Sequence, residues 1–256
     1  MKIISWNVNG LRAVNKKGFL GWLRKSKANV ICLQEIKAQM DKIPAELINP
    51  AGYFSFYNPA QKKGYSGTAV FTKQKPIEIK IKMGFKEFDE QGRLLQLEFE
   101  NFILINLYMP HGGRGKENLE FKLKAYRHLF KYLKGLDSRL RGNDKKVVLV
   151  GDFNIAHGEI DLARPKQNQN NIMFTPEERL QIDELATIGF TDTFRKLHPD
   201  EKKYTWWPYF ANARARNLGW RIDYAFVSKK LAPKLKRAEI LTAVTGSDHC
   251  PIKVDF

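Results

Sequence analysis

The residues best suited to chemistry follow short apolar runs. Asn7 and Asn9 follow Lys2–Trp6, and Gln34, Glu35 and Lys37 follow Val30–Leu33. Tyr108, Pro110 and His111 come after Phe102–Leu107, and Gly151, Asp152 and Asn154 after Val147–Val150. Asp223 and Tyr224 follow Ile222, and Ser247-Asp248-His249 stands near the C-terminus. Carboxylate and amide oxygens suit a hard cation such as Mg²⁺, which keeps several of its waters. His249 needs a carboxylate to fix its tautomer, and Asp223 is the expected partner. Together these groups point to metal-assisted phosphodiester cleavage. There is no HExxH motif and no cysteine cluster, which disfavours zinc, and no GxxxxGK[ST] loop for nucleotide-driven work. Each group alone has a plainer reading. Glu35 could be an exposed carboxylate, Asp152-Phe153-Asn154 an Asx turn, His249 a structural residue, and Trp206 and Trp220 core aromatics. The combination and its order carry the inference.

The groups must be held by the elements that end there. Lys2–Asn7, Val30–Gln34, Gly67–Thr72, Leu94–Phe99, Phe102–Leu107, Val147–Gly151, Ile222–Val227 and Ile252–Phe256 read as strands. Phe19, Trp22 and Leu23 mark a short helix; Leu119, Leu123, Tyr126, Leu129, Phe130 and Leu133 mark a longer one. A third helix has Thr175 as cap, Pro176 in its first turn and Glu178 to complete a capping box, with Ile182, Leu185 and Ile188 as its stripe and Gly189 at its end. Leu136–Lys146 and Arg164–Asn171 read as long polar loops. With no Pro/Gly/Ser-rich linker and no repeat, residues 1–256 are expected to form one α/β domain, its site at the strand ends.

The chain has 256 residues, 43% of them hydrophobic, enough for a sizeable core. No apolar run approaches the roughly 20 residues of a membrane helix, and the N-terminus lacks the pattern of a signal peptide. Cys32 and Cys250 are expected to be reduced and buried. A soluble, cytoplasmic monomer is the expectation. The 44 Lys and Arg exceed the 27 Asp and Glu, and the net charge of +17 suits a polyanion, with nucleic acid foremost. An anionic membrane surface fits less well, since no segment reads as a basic amphipathic anchor.

WNVNGLRA at Trp6–Ala13, LQEIK at Leu33–Lys37, GYSGTAVFTK at Gly64–Lys73 and GDFNIAH at Gly151–His157 match a known pattern. So do EIDLARPK at Glu159–Lys166, FTPEER at Phe174–Arg179, NLGWRIDY at Asn217–Tyr224 and GSDHCPI at Gly246–Ile252. The chain resembles, over its whole length, the exonuclease III family of abasic-site endonucleases within the endonuclease/exonuclease/phosphatase superfamily. LQE, GDFN and SDH belong to the wider superfamily; NLGWRIDY and EIDLARPK belong more to its DNA-repair branch. The resemblance implies a four-layer α/β sandwich, two packed mixed sheets flanked by helices as in DNase I-like proteins.

The resemblance also implies roles. Glu35 would be the main metal ligand, with Asn7 beside it; Asp152, Asn154 and His249 would complete the metal environment, and Asp248 would be an additional metal-shell or hydrogen-bonding carboxylate. Asp152 would activate the attacking water, Asn154 orient that water or hold the phosphate, and Tyr108 touch the scissile phosphate, with Asp223 and His249 as the carboxylate–imidazole pair. Mg²⁺ would be the cofactor, with Mn²⁺ able to substitute. Double-stranded DNA with abasic sites would be the partner, its bare sugar flipped into a niche of Trp206, Trp220 and Ile222. Arg114 and Phe210 would insert into the duplex, Phe210 as a wedge, and Lys37, Asn168 and Asn171 would lie along its backbone. Two positions depart from the common pattern. His111 stands where relatives often carry Asn or Gln, and Asn9 replaces an acidic residue of some relatives. Other readings are an enzyme dominated by 3′→5′ exonuclease or 3′-phosphatase work, a silent DNA-binding module, and a phosphatase for lipids or small molecules.

Overall fold

The computed structural model of the protein describes residues 1–50, 52–139 and 146–256. Its central strands are buried on both faces, which is why they read as unbroken apolar runs. In β1 (Lys2–Asn7), Ile3 faces the centre of the molecule, whereas Ile4 and Trp6 face outward under helices. In β8 (Lys146–Asp152), Val148 and Val150 face the centre and Val147 and Leu149 face outward.

Among the described residues twelve strands form two sheets of six. Beside β1 and β8 they are β2 (Val30–Gln34), β3 (Phe54–Asn58), β4 (Thr68–Thr72), β5 (Glu78–Lys80), β6 (Leu94–Glu98) and β7 (Phe102–Tyr108). The rest are β9 (Phe190–Asp192), β10 (Asp223–Ser228), β11 (Arg237–Ile240) and β12 (Ile252–Asp255). The orders are β11-β12-β1-β2-β4-β3 and β5-β6-β7-β8-β10-β9. Each sheet is mixed, with one parallel pair at its heart: β1 with β2, and β7 with β8. The sheets pack face to face through Ile3, Cys32, Val70, Leu95, Leu104, Val148, Val150 and Ala225. A polar pin crosses this interface. Gln34 Nε2 donates to Asn106 Oδ1 at 2.7 Å, and Asn106 Nδ2 donates to the Leu33 and Ala69 carbonyls at 3.0 Å each.

Helices cover both outer faces. α1 (Leu11–Lys16) and α2 (Phe19–Ser26) place Leu11, Val14, Phe19 and Leu23 on the first sheet. α3 (Lys86–Asp89), α4 (Leu119–Arg139) and α5 (Pro176–Thr187) cover the second, and the short α6 (Thr193–Leu197) follows β9. The expected four layers are present. The box on α5 forms as expected, with Glu178 N donating to Thr175 Oγ1 at 3.2 Å and Thr175 N to Glu178 Oε2 at 3.0 Å. Gly189, at φ 101°, ends that segment in the left-handed region open to glycine.

Two expectations need correction. The polar stretch from Leu136 does not begin a loop: α4 runs on to Arg139, because Leu136 still packs into the core beneath it. The remainder, 140–145, lies outside the described residues. The strand bounds shift by a residue or two, and β3, β5, β9 and β11 were not expected at all. These four are the outer strands of the two sheets. Edge strands are half exposed and polar, so no apolar run announces them. Cys32 and Cys250 are free and buried, as expected. Among the described residues no helix is long and apolar enough to cross a membrane.

Candidate active site

Parallel pairing brings together the ends of β1 and β2 and of β7 and β8, and antiparallel pairing sets the start of β10 beside the end of β8. In sheet register Asn7 stands opposite Gln34, Tyr108 opposite Asp152, and Asp152 opposite Asp223. Asp152 lies at the centre. Asn7 Nδ2 donates to Asp152 Oδ2 and to Glu35 Oε1, both at 2.9 Å, and so bridges the two sheets. The chain turns sharply on leaving β2 and β8, and both Glu35 and Asn154 take left-handed φ values of 51° and 52°. Such a conformation is uncommon for a non-glycine residue and is often found at functional sites. Asn154 N donates to Asp152 Oδ1 at 2.9 Å and its Nδ2 to the Met109 carbonyl at 2.9 Å, which leaves Asn154 Oδ1 for the site.

His249 completes the group. Its Nδ1 lies 2.8 Å from Asp223 Oδ2, and its Nε2 lies 3.9 Å from Asp152 Oδ2. The pairing of Asp223 with His249, expected from chemistry alone, is thus present. Glu35, Asp152 and His249 offer ligand atoms that all lie within 4.8 Å of one another. Asp248 stands apart from that trio. Its carboxylate accepts from Asn9 Nδ2 at 2.9 Å and Trp206 Nε1 at 3.0 Å. Lys37, expected along DNA, reaches into the site, with its Nζ 2.7 Å from Glu35 Oε2.

The charges are unevenly balanced. Burial pushes the Asp152 carboxyl up to about 7, and the Asp223 charge adds to this, against the pull of His249. Burial alone would lower His249, but Asp223, by charge and hydrogen bond, outweighs it and carries the imidazole up to about 10. Burial also raises Glu35, yet the Lys37 charge and the hydrogen bonds from Lys37 and Asn7 hold it below its ordinary value. Tyr108 is pushed well up by burial and by the nearby Glu35 charge. Hard oxygens from Glu35 and Asp152 suit a divalent cation, and the Lys37 ammonium already occupies a cation's place on Glu35. An imidazolium has no lone pair to give, so His249 while protonated acts as a donor.

Beside these groups Trp206, Trp220 and Ile222 gather with Leu162, Met173 and Phe174 in one apolar cluster. Main-chain bridges run from Trp206 to Trp220 and from Trp206 to His249, so wall and polar site share one framework. Phe210 is 66% exposed and so is not a core residue. Arg114 is exposed on its glycine-rich loop. Asn168 Nδ2 donates to the Arg164 carbonyl at 2.8 Å and Asn171 Nδ2 to Asn168 Oδ1 at 3.1 Å, which orders the polar loop.

Three further buried charges, Arg93, Lys122 and Arg221, surround the site. Arg93 stacks 4.5 Å from the Tyr108 ring centroid and donates to the Tyr108 carbonyl at 3.0 Å and to Tyr65 Oη at 2.8 Å. Lys122 pairs with Glu178 behind Asn154. Arg221 Nε donates to Asp161 Oδ1 at 2.7 Å and its Nη1 to Asp192 Oδ2 at 2.8 Å. Arg221 and Asp161 sit in NLGWRIDY and EIDLARPK, so their motifs carried the signal, though not its meaning.

Residues 4–249 match the family model described as the Endonuclease/Exonuclease/phosphatase family. The chain is 45% identical to the exodeoxyribonuclease of Bacillus subtilis (strain 168), over 99% of this chain and 98% of that one. It is 44% identical to the DNA repair nuclease APEX1 of Danio rerio, over 98% of this chain and 81% of that one. Among solved structures, an AP endonuclease from Archaeoglobus fulgidus superposes with a TM-score of 0.88 at 28% identity, covering 100% of this chain and 99% of that one. A 3′ phosphatase from Neisseria, bound to a product DNA hairpin, superposes with a TM-score of 0.91 at 29% identity, covering the same shares. The conjunction of paired sheet ends, a carboxylate–imidazole site and full-length likeness places the chain in the endonuclease/exonuclease/phosphatase family, in its exonuclease III branch of DNA-repair hydrolases.

Proposed function

We propose that the chain hydrolyses the phosphodiester on the 5′ side of abasic sites in double-stranded DNA, leaving a 3′ hydroxyl and a 5′ deoxyribose phosphate. The observation that carries this reading is the adjacency of the Asp152–His249–Asp223 group to the apolar wall of Trp206, Trp220 and Ile222. A sugar without a base costs little to extrude and would fit against such a wall. Relatives named as AP endonucleases and DNA repair nucleases support the same reading.

Nucleases of this family use a divalent metal. Here Mg²⁺, with Mn²⁺ as substitute, would be held by Glu35 and Asp152, with Asn7 and Asn154 around it, while Asp248 serves Asn9 and Trp206 as a hydrogen-bonding carboxylate. When bound it supplies positive charge against the phosphate. Asp152, ionised, takes a proton from the attacking water, and Asn154 Oδ1 orients that water. His249, kept protonated by Asp223, donates to a non-bridging phosphate oxygen, as does the Tyr108 hydroxyl. Asn168 and Asn171 bind the backbone, and Arg114 and Phe210 enter the duplex, Phe210 as a wedge.

A second reading, in which 3′-end processing dominates, is favoured by the likeness to the Neisseria 3′ phosphatase and by His111 at the site's edge. The test uses an end-labelled duplex with one internal abasic analogue, in Mg²⁺ or EDTA, with wild type beside Asp152→Asn. The expected result is one Mg²⁺-dependent cut on the 5′ side, lost in the variant. Trimming of 3′ ends without that cut would move the function to end processing.

A further inference from the structure

The side chains of Lys122, on α4, and Glu178, on α5, are both fully buried. Lys122 Nζ donates to Glu178 Oε1 at 2.5 Å, to the Asn154 carbonyl at 2.6 Å and to the His111 carbonyl at 3.2 Å. An ammonium has three protons, and each has a partner here. Burying two ions is expensive, and well-packed apolar side chains would join two helices at least as well. Helix packing alone therefore does not account for the pair.

What Lys122 holds besides Glu178 does. Asn154 and His111 lie just past the ends of β8 and β7. Among the described residues no backbone N–H donates to either carbonyl, so Lys122 is their shared donor. Asn154, at φ 52°, carries on the other side of its Cα the amide N–H that donates to Asp152 Oδ1. Next to His111, Gly112 packs so closely that an added Cβ would meet Ile172 Cδ1 at 2.6 Å and the Lys122 stem at 3.3 Å. The loop that carries Arg114 thus rests on the same side chain.

We propose that Lys122 is a positioning residue for phosphodiester hydrolysis. By fixing the Asn154 and His111 carbonyls it sets the Asn154 side chain and the Arg114 loop at a constant distance from Asp152, with Glu178 as its counter-charge. The inference rests on the function proposed above. A displacement of about 1 Å in such a group lowers turnover on the order of 10²-fold.

The test compares wild type, Lys122→Met with Glu178→Gln, Glu178→Gln alone, and Lys122→Arg. The paired variant removes both charges, while the amide oxygen introduced by Glu178→Gln can still accept from the Thr175 backbone. It is expected to melt several degrees below wild type, because both carbonyls lose their donor, to keep its KM within a small factor, and to lose kcat on the order of 10²-fold. Glu178→Gln alone leaves the ammonium on both carbonyls. It is expected to lower the melting temperature and keep kcat. Lys122→Arg, which restores a cationic donor, is expected to recover most of the paired variant's loss. Wild-type kcat in the paired variant, or kcat falling in step with melting temperature in Glu178→Gln, would overturn the proposal. If the paired variant does not fold, Glu178→Gln and Lys122→Arg still decide it. Rates are taken on an abasic duplex and on a duplex with a 3′-phosphate end. Failure of wild type on the first sinks the functional reading, while the Lys122 comparison is then made on the second.

Discussion

Asp152 and Lys37 are the residues at which chemistry and stability conflict. Burial and Asp223 raise the Asp152 carboxyl from 3.8 to about 7, so its charged form is the costly one in the fold. A raised carboxyl favours the fold below its unfolded value, and that advantage is lost as pH rises through the folded value. Asp152→Asn, which cannot ionise, should therefore melt above wild type in EDTA, with a gap that opens between about pH 4 and 7 and is then constant. A plateau of at least about 2 °C is expected; equal melting at pH 8 would contradict it. Lys37 competes for Glu35 with any cation. Lys37→Met is expected to bind Mg²⁺ several-fold more tightly by calorimetry, and weaker binding would show that Lys37 does not compete. Asp223–His249 was legible in the sequence because an imidazole in this chemistry needs a carboxylate. The contact between Lys37 and Glu35 was not, because a lysine two residues from a glutamate reads as a surface charge unless the turn at φ 51° is known.

At the scale of elements, the beginning of β10 decides the site. Ile222 stands just before it and Asp223 opens it, and Thr205 Oγ1 accepts from both backbone amides at 3.1 Å. Arg221, 1% exposed, anchors that point to Asp161 and Asp192. Arg221→Met would leave two carboxylates short of a buried partner and should destabilise the fold by about 3–5 kcal/mol in denaturant melts. A loss under about 1 kcal/mol would mean that Arg195, which also reaches Asp161, suffices. The central strands and α5 were legible because burial on both faces and a capping box leave local marks. The edge strands and the end of α4 were not, since pairing and packing across the fold define them. Trp206, Trp220 and Ile222 could be grouped only through the family likeness, because bridges across the chain bring them together.

For the whole molecule the net charge of +17 makes DNA binding long-ranged and salt-sensitive. With about five phosphates neutralised, the slope of log K against log salt should be near −4.5, and a flat response would remove the electrostatic part of the reading. In the proposed function the two-sheet frame converts that general attraction into selection, because the polar site and its apolar wall lie side by side. The most direct test uses duplexes that differ at one internal position, an abasic analogue against a normal nucleotide, cut by wild type and by Trp220→Ala in Mg²⁺. Wild type is expected to cut at the abasic position at least about 10²-fold faster, and Trp220→Ala to lose most of that ratio while still trimming 3′ ends. Equal cutting at both positions, or a ratio untouched by Trp220→Ala, would contradict the claim that this wall selects the missing base.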